Sequence, residues 1–120
     1  MIEGIPGLPD GVLGFSVKGT VTAKDYETVI IPAVEAQFAR NKKVRFLYHL
    51  GAQFDRFEVA AMWDDAKLGF RHLTGWERVA VVSDVAWIRA AIDAFALVMP
   101  GRVRVFHESE LAEAKRWLAG

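Results

Sequence analysis

The residues that could carry catalysis are few: His49, His72 and His107, the adjacent Asp64 and Asp65, and Ser16, Ser83 and Ser109, the only serines. His49 closes a predicted strand, His72 falls on the charged side of a predicted helix, and His107 follows a strand. None has a partner at metal-ligand spacing. Successive residues on a helix lie about 100° apart, so Asp64 and Asp65 do not converge on one substrate atom as a paired acid and base would. They read as a solvated face. No serine sits in a nucleophile elbow, and no glycine run precedes a helix to cradle phosphate. With no cysteine there is neither thiolate nor disulfide. Arg45, Arg102 and Arg104 could make a basic strand face for anions or a membrane surface, though an ordinary solvated face is the favoured reading. A non-catalytic protein without metal or cofactor is expected.

The apolar residues say more. "DVAWIRAAIDAFALVMPG", residues 84–101, is a helix with only Arg89 and Asp93 charged between Val85 and Met99. At about 100° per residue Trp87, Ile88, Ala91, Ile92, Phe95, Val98 and Met99 cover roughly 140°, with Leu97 outside them. Arg89 and Asp93 share the remaining side at i, i+4, placed to pair. In the preceding helix Val59, Met62, Trp63, Ala66, Gly69, Phe70 and Leu73 fall within about 120°, the width that packing on a sheet uses, while Leu68 sits among the charges. The wide arc on the later helix either meets neighbouring helices or, with Trp63 and Leu68, borders a groove for a partner, lipid or apolar ligand.

The elements that hold these helices alternate. Val12–Gly19, Lys43–Leu50, Glu77–Ser83 and Arg102–Phe106 read as strands, rich in β-branched and aromatic residues, with a weaker strand near Met1–Ile5. Four helices are expected near residues 23–40, 57–73, 85–99 and 109–118. Thr22 with Asp25 forms a capping-box pattern, Pro32 should kink the first helix, Ser83 or Asp84 can cap the third, and Pro100 with Gly101 ends it. Strand then helix, repeated, predicts a mainly parallel sheet. Strands with arginine on one side, such as Arg102 and Arg104 against Val103 and Val105, favour two layers: helices on one face, the other partly open. The expected class is α/β, in one domain over residues 1–120.

The 15 basic and 15 acidic residues cancel, which argues against nucleic-acid binding. "MIEGIPGLPDG" lacks the basic and apolar stretches of a signal peptide, so the expected location is the cytoplasm. No run is long and uncharged enough to span a bilayer.

The order "GVLGFSVKGTVTAKDYETVIIPAVE", "VRFLYHLG" and "MWDDAKLGFRHLTGWERVAVVSDVAWIRAAIDAFALVMPGRVRVF" resembles the bacterial SpoIIAA-like family, relatives of the STAS domain. The resemblance rests on the "VTAKDYE" helix start, the "MWDDAKLG" helix and the "WERVAVVSD" strand together, and covers nearly the whole chain. It implies a compact curved sheet backed by helices, and a non-enzymatic role. Sporulation-type STAS domains are anti-sigma factor antagonists, switched by phosphorylation of a serine or threonine in the loop entering the second helix. That loop here, "HLGAQFDRFE", contains neither. The group is also similar in fold to lipid-carrying domains, with an apolar cavity beneath the middle helices.

Two functions follow as expectations. The first is binding of an apolar small molecule, lipid or membrane surface through Trp63, Leu68, Phe70, Trp87, Phe95 and Met99. The alternative is a protein-interaction regulator that contacts its partner through the loop Gly51 to Phe57, with Phe54, Arg56 and Phe57 as contact residues. A second copy of the chain would also cover the apolar surface.

Overall fold

The computed structural model describes residues 1–120. Five strands form one sheet in the order β1-β2-β3-β4-β5: Ile2–Gly4, Val12–Val21, Val44–Phe57, Trp76–Ser83 and Arg102–Phe106. β1 is antiparallel to β2, and every later pair is parallel. Successive parallel strands laid down in one direction, with crossovers of one hand, put all crossover helices on the same face. These are α1 (Ala23–Asp25) and α2 (Ile31–Arg40), joined by a π turn over Tyr26–Ile30, then α3 (Val59–Arg71) and α4 (Ala86–Ala96).

That face holds the larger core. Phe15, Val17 and Val21 of β2, Phe46, Tyr48 and Leu50 of β3 and Val81 of β4 pack with Ile30, Val34, Ala61, Leu68, Ile88 and Met99. The last helix, α5 (Leu111–Ala119), lies against the reverse face. The expected set of helices on one face is thus joined by one that closes part of the other. Its Ala114 and Leu118 meet Leu47, Ala80, Val82 and Phe106, which point away from the main core because side chains alternate along strands. Arg45 and Arg78 hold it there. Their guanidinium groups donate to the carbonyls of Leu118 (2.6 Å) and Trp117 (2.5 Å), satisfying helix-end acceptors with positive charge. Arg45 also bonds Glu77 at 2.5 Å, and Arg104 lies over the rings of Phe106 and Trp117. The basic residues serve the fold on this side.

The first helix departs from a simple kink at Pro32. Thr22 and Asp25 form the expected capping box, with bonds of 3.1 and 2.9 Å. The adjustment comes one turn before the proline: the Ile31 amide bonds back five residues to Tyr26, widening the helix into a π turn. Such a turn takes up the register that Pro32, lacking an N–H, cannot continue. It leaves Tyr26 and Ile30 buried.

β3 is longer than expected. It does not end at Leu50 but runs to Phe57, pairing Phe54, Arg56 and Phe57 with Gly19, Thr20 and Val21 of β2. The expected loop Gly51 to Phe57 is therefore strand. Gly19, with φ of 66°, stands at the irregularity where β3 carries extra residues, a backbone conformation that glycine adopts without strain.

Candidate functional site

α3 and α4 do not close on each other over the sheet. Between them lies a cavity of about 270 Å³, floored by Phe46, Tyr48 and Val81 and walled by Leu68, Ile92 and Phe95. A smaller lobe of about 150 Å³ continues towards Phe57, Met62, Trp87 and Ile88. Tyr48, Asp65, Val81, Ala91 and Ile92 border both lobes. Each lining is apolar apart from a tyrosine–aspartate cluster where the lobes meet.

That cluster is a short hydrogen-bonded chain. The Tyr26 hydroxyl donates to Asp65 Oδ1 at 2.8 Å and lies 3.0 Å from the Tyr48 hydroxyl. A phenol has one proton to give, so with that of Tyr26 directed at Asp65, Tyr48 donates to Tyr26. Burial, reinforced by the Asp65 charge and by Tyr48, pushes the Tyr26 phenol well above its usual range. Burial raises the Tyr48 phenol as well. It also raises the Asp65 carboxyl, against the Tyr26 bond, which pulls the other way. The Asp65 side chain is exposed and borders both lobes. Asp65 is thus solvent-accessible, as expected, but it is also bound to Tyr26 and set in the wall of both lobes.

α3 is rotated relative to its apolar arc. Val59, Met62, Trp63 and Phe70 are exposed, Trp63 at 68% and Phe70 at 62%, whereas Leu68 is buried at 5%. Three anchors set this orientation. Tyr26 holds Asp65. His72, just past the helix, contacts Glu35 at 2.6 Å and stacks on Phe38 with ring centres 4.0 Å apart. The Trp76 indole N–H bonds the Gly69 carbonyl at 3.3 Å. Leu68 then packs inward, Ala66 and Gly69 of the arc stay in the wall of the larger lobe, and Val59, Trp63 and Phe70 turn outward. The contact with His72 also holds the Glu35 carboxyl below its usual range.

The expected binding residues are accordingly divided. Leu68, Phe95 and Met99 line the larger lobe, and Trp87 the smaller. Phe70 stands outside, with its ring edge-on to Phe95 at 6.5 Å. Trp63 lines neither lobe. Leu97 is 87% exposed beyond the end of α4. Arg89 does not pair with Asp93; it donates to the Ser83 carbonyl at 2.8 Å, tying the start of α4 to β4. Asp84 does not cap α4 but accepts from the Glu108 amide (3.0 Å) and contacts His107 (3.1 Å). Of the contact residues expected in the former loop, Phe54 and Phe57 form an aromatic row running on to Trp87, and Arg56 is exposed.

Sequence reasoning missed Tyr26, Tyr48 and Asp65 as site residues. Tyr48 was legible in principle, since it shares the strand side of Phe46 and Leu50 and brings the one polar group there. Asp65 was not: its place in the site depends on its bond to Tyr26, which lies far away in sequence.

A parallel sheet backed by helices, with an apolar cavity between two of them, defines an α/β module of STAS-like architecture. The chain belongs to the SpoIIAA-like family, whose model matches residues 12–119. It is similar to the crystal structure of an uncharacterized protein of the DUF3478 family with a SpoIIAA-like fold, from Shewanella loihica PV-4. That likeness has a TM-score of 0.78 at 27% identity and covers 98% of this chain and 92% of the other. No curated protein matches the chain. Members of the SpoIIAA-like family are generally non-enzymatic. No helix is long and apolar enough to cross a membrane.

Proposed function

We propose that this protein is a non-catalytic SpoIIAA-like module that takes up an apolar small molecule or lipid between α3, α4 and the sheet. The observation that carries the reading is the cavity of about 270 Å³ with an almost wholly apolar lining. Closed interiors seldom contain voids larger than a water molecule, and small-molecule sites typically measure about 300–1,000 Å³. The opening between the helices gives a ligand its way in, and the exposed Trp63 and Phe70 on α3 suit contact with a membrane that delivers or receives it.

Trp76 and Trp87 line the two lobes, so intrinsic fluorescence reports occupancy directly. Titration with a panel of alkyl alcohols, amines, fatty acids and lipid vesicles is expected to shift the emission and raise the melting temperature. A ligand at about 100 times its Kd adds about 2.7 kcal/mol to stability. A panel that moves neither signal overturns the reading.

The second reading, a protein-interaction regulator, is favoured by the exposed stripe Val59, Met62, Trp63 and Phe70 beside Arg56. Aromatic residues and arginine are enriched at interfaces. Affinity capture that recovers a partner with wild type and loses it with Arg56→Ala would support this reading, and light scattering separates a homodimer from a monomer.

A further inference from the structure

An apolar pocket that bound hydrocarbon alone would need no carboxylate in its wall. Asp65 is the one charged residue in either lining, and it stands where the lobes meet. Its Oδ1 accepts from Tyr26, while Oδ2 receives no hydrogen bond from the protein. Tyr48 spends its proton on Tyr26, so the cluster directs its donors inwards along the chain and leaves acceptor oxygen towards the cavity. No lysine, arginine or histidine borders either lobe. A second negative charge brought there would face Asp65 with no basic side chain in either lining to offset it.

We propose that the cavity selects an amphiphile whose polar group donates a hydrogen bond and carries no negative charge, with that group seated on Asp65 and its chain in the larger lobe. This rests on the apolar-ligand reading above and specifies its chemistry: lipophilic alcohols and amines are taken, and carboxylate-headed lipids are refused. At roughly 30 Å³ per methylene-sized group, 270 Å³ accommodates about nine such groups, which an eight-carbon chain with one polar head matches.

The test compares octylamine, 1-octanol and octanoate at pH 8 by calorimetry, using the full chain and its Asp65→Asn variant. Asparagine keeps an oxygen for Tyr26 while removing the charge. Wild type is expected to bind the amine and the alcohol roughly tenfold or more tightly than octanoate, the scale of one hydrogen bond to a charged group. In Asp65→Asn the amine's advantage over octanoate should shrink to within about threefold, with octanol still bound. Equal binding of all three by wild type, or an order unchanged in Asp65→Asn, overturns this inference and leaves the apolar-ligand reading standing. Binding of none overturns both. If Asp65→Asn fails to fold, the wild-type order decides.

Discussion

Replacing Ala91 by leucine separates an open cavity from a filled interior. Ala91 borders both lobes and lies at the mouth between α3 and α4. Leucine adds three carbons, roughly 90 Å³ at about 30 Å³ each, which fits within a lobe of about 270 Å³. At about 0.8 kcal/mol per buried methylene the added carbons contribute about 2.4 kcal/mol. Freezing the new side chain costs about 0.5–1 kcal/mol, and the partial openness of the mouth removes a similar amount. A net stabilisation of about 1 kcal/mol remains, which for a chain of this size raises Tm by about 3–5 °C. In a filled core the same insertion would cost about 1–3 kcal/mol. The sign is therefore diagnostic. Chemical denaturation gives the stability, and fluorescence titration with octanol should show weaker binding, because the leucine occupies ligand space. Destabilisation by Ala91→Leu would refute the open cavity. Stabilisation with undiminished octanol binding would place the ligand elsewhere.

Two glycines should respond in opposite directions to alanine. In Gly69→Ala the new methyl meets only the Phe95 ring, at 3.8 Å, so the helix-interior gain of about 0.5–1 kcal/mol should appear as added stability in denaturant titrations. In Gly101→Ala the methyl would overlap the Trp76 carbonyl oxygen, and the loss should reach about 3 kcal/mol or more by the same measurement. Asp65 gives a pH signature. Its folded carboxyl titrates above the unfolded value, so its stabilising contribution is complete below about pH 4 and is lost as pH rises through the folded value. The melting temperature of Asp65→Asn relative to wild type should therefore climb between pH 4 and pH 8; a flat difference would contradict the raised Asp65 carboxyl.

Much of the fold was legible because local pattern and tertiary environment agreed. Arg102–Phe106 alternates charge with β-branched residues and forms β5 over those same residues. The Thr22–Asp25 box sets a helix start that needs no distant partner. Disagreement arose where distant contacts decide. "GAQFDRF" reads as a polar loop, yet β2 continues beside it and supplies a pairing edge. The outward arc of α3 is the costliest misreading. Periodicity found its apolar stripe, but Tyr26 holds Asp65 and the sheet takes Leu68, so only Ala66, Gly69 and Leu73 of the stripe stay inward, and no helical projection contains Tyr26. α5 was misplaced for a related reason. Leu47, Ala80 and Val82 together signal a second covered face, but Arg45, Arg102 and Arg104 suggested solvent, and Arg45, together with Arg78, proves to hold the helix end.

The central claim is that the space between α3 and α4 is a ligand site. A crystal structure of the protein grown with octanol tests it most directly. The account predicts continuous density for the alkyl chain between Phe46, Leu68 and Phe95, with its hydroxyl on Asp65. An empty or side-chain-filled cavity at saturating octanol, or density only on the outer face around Trp63, would contradict it.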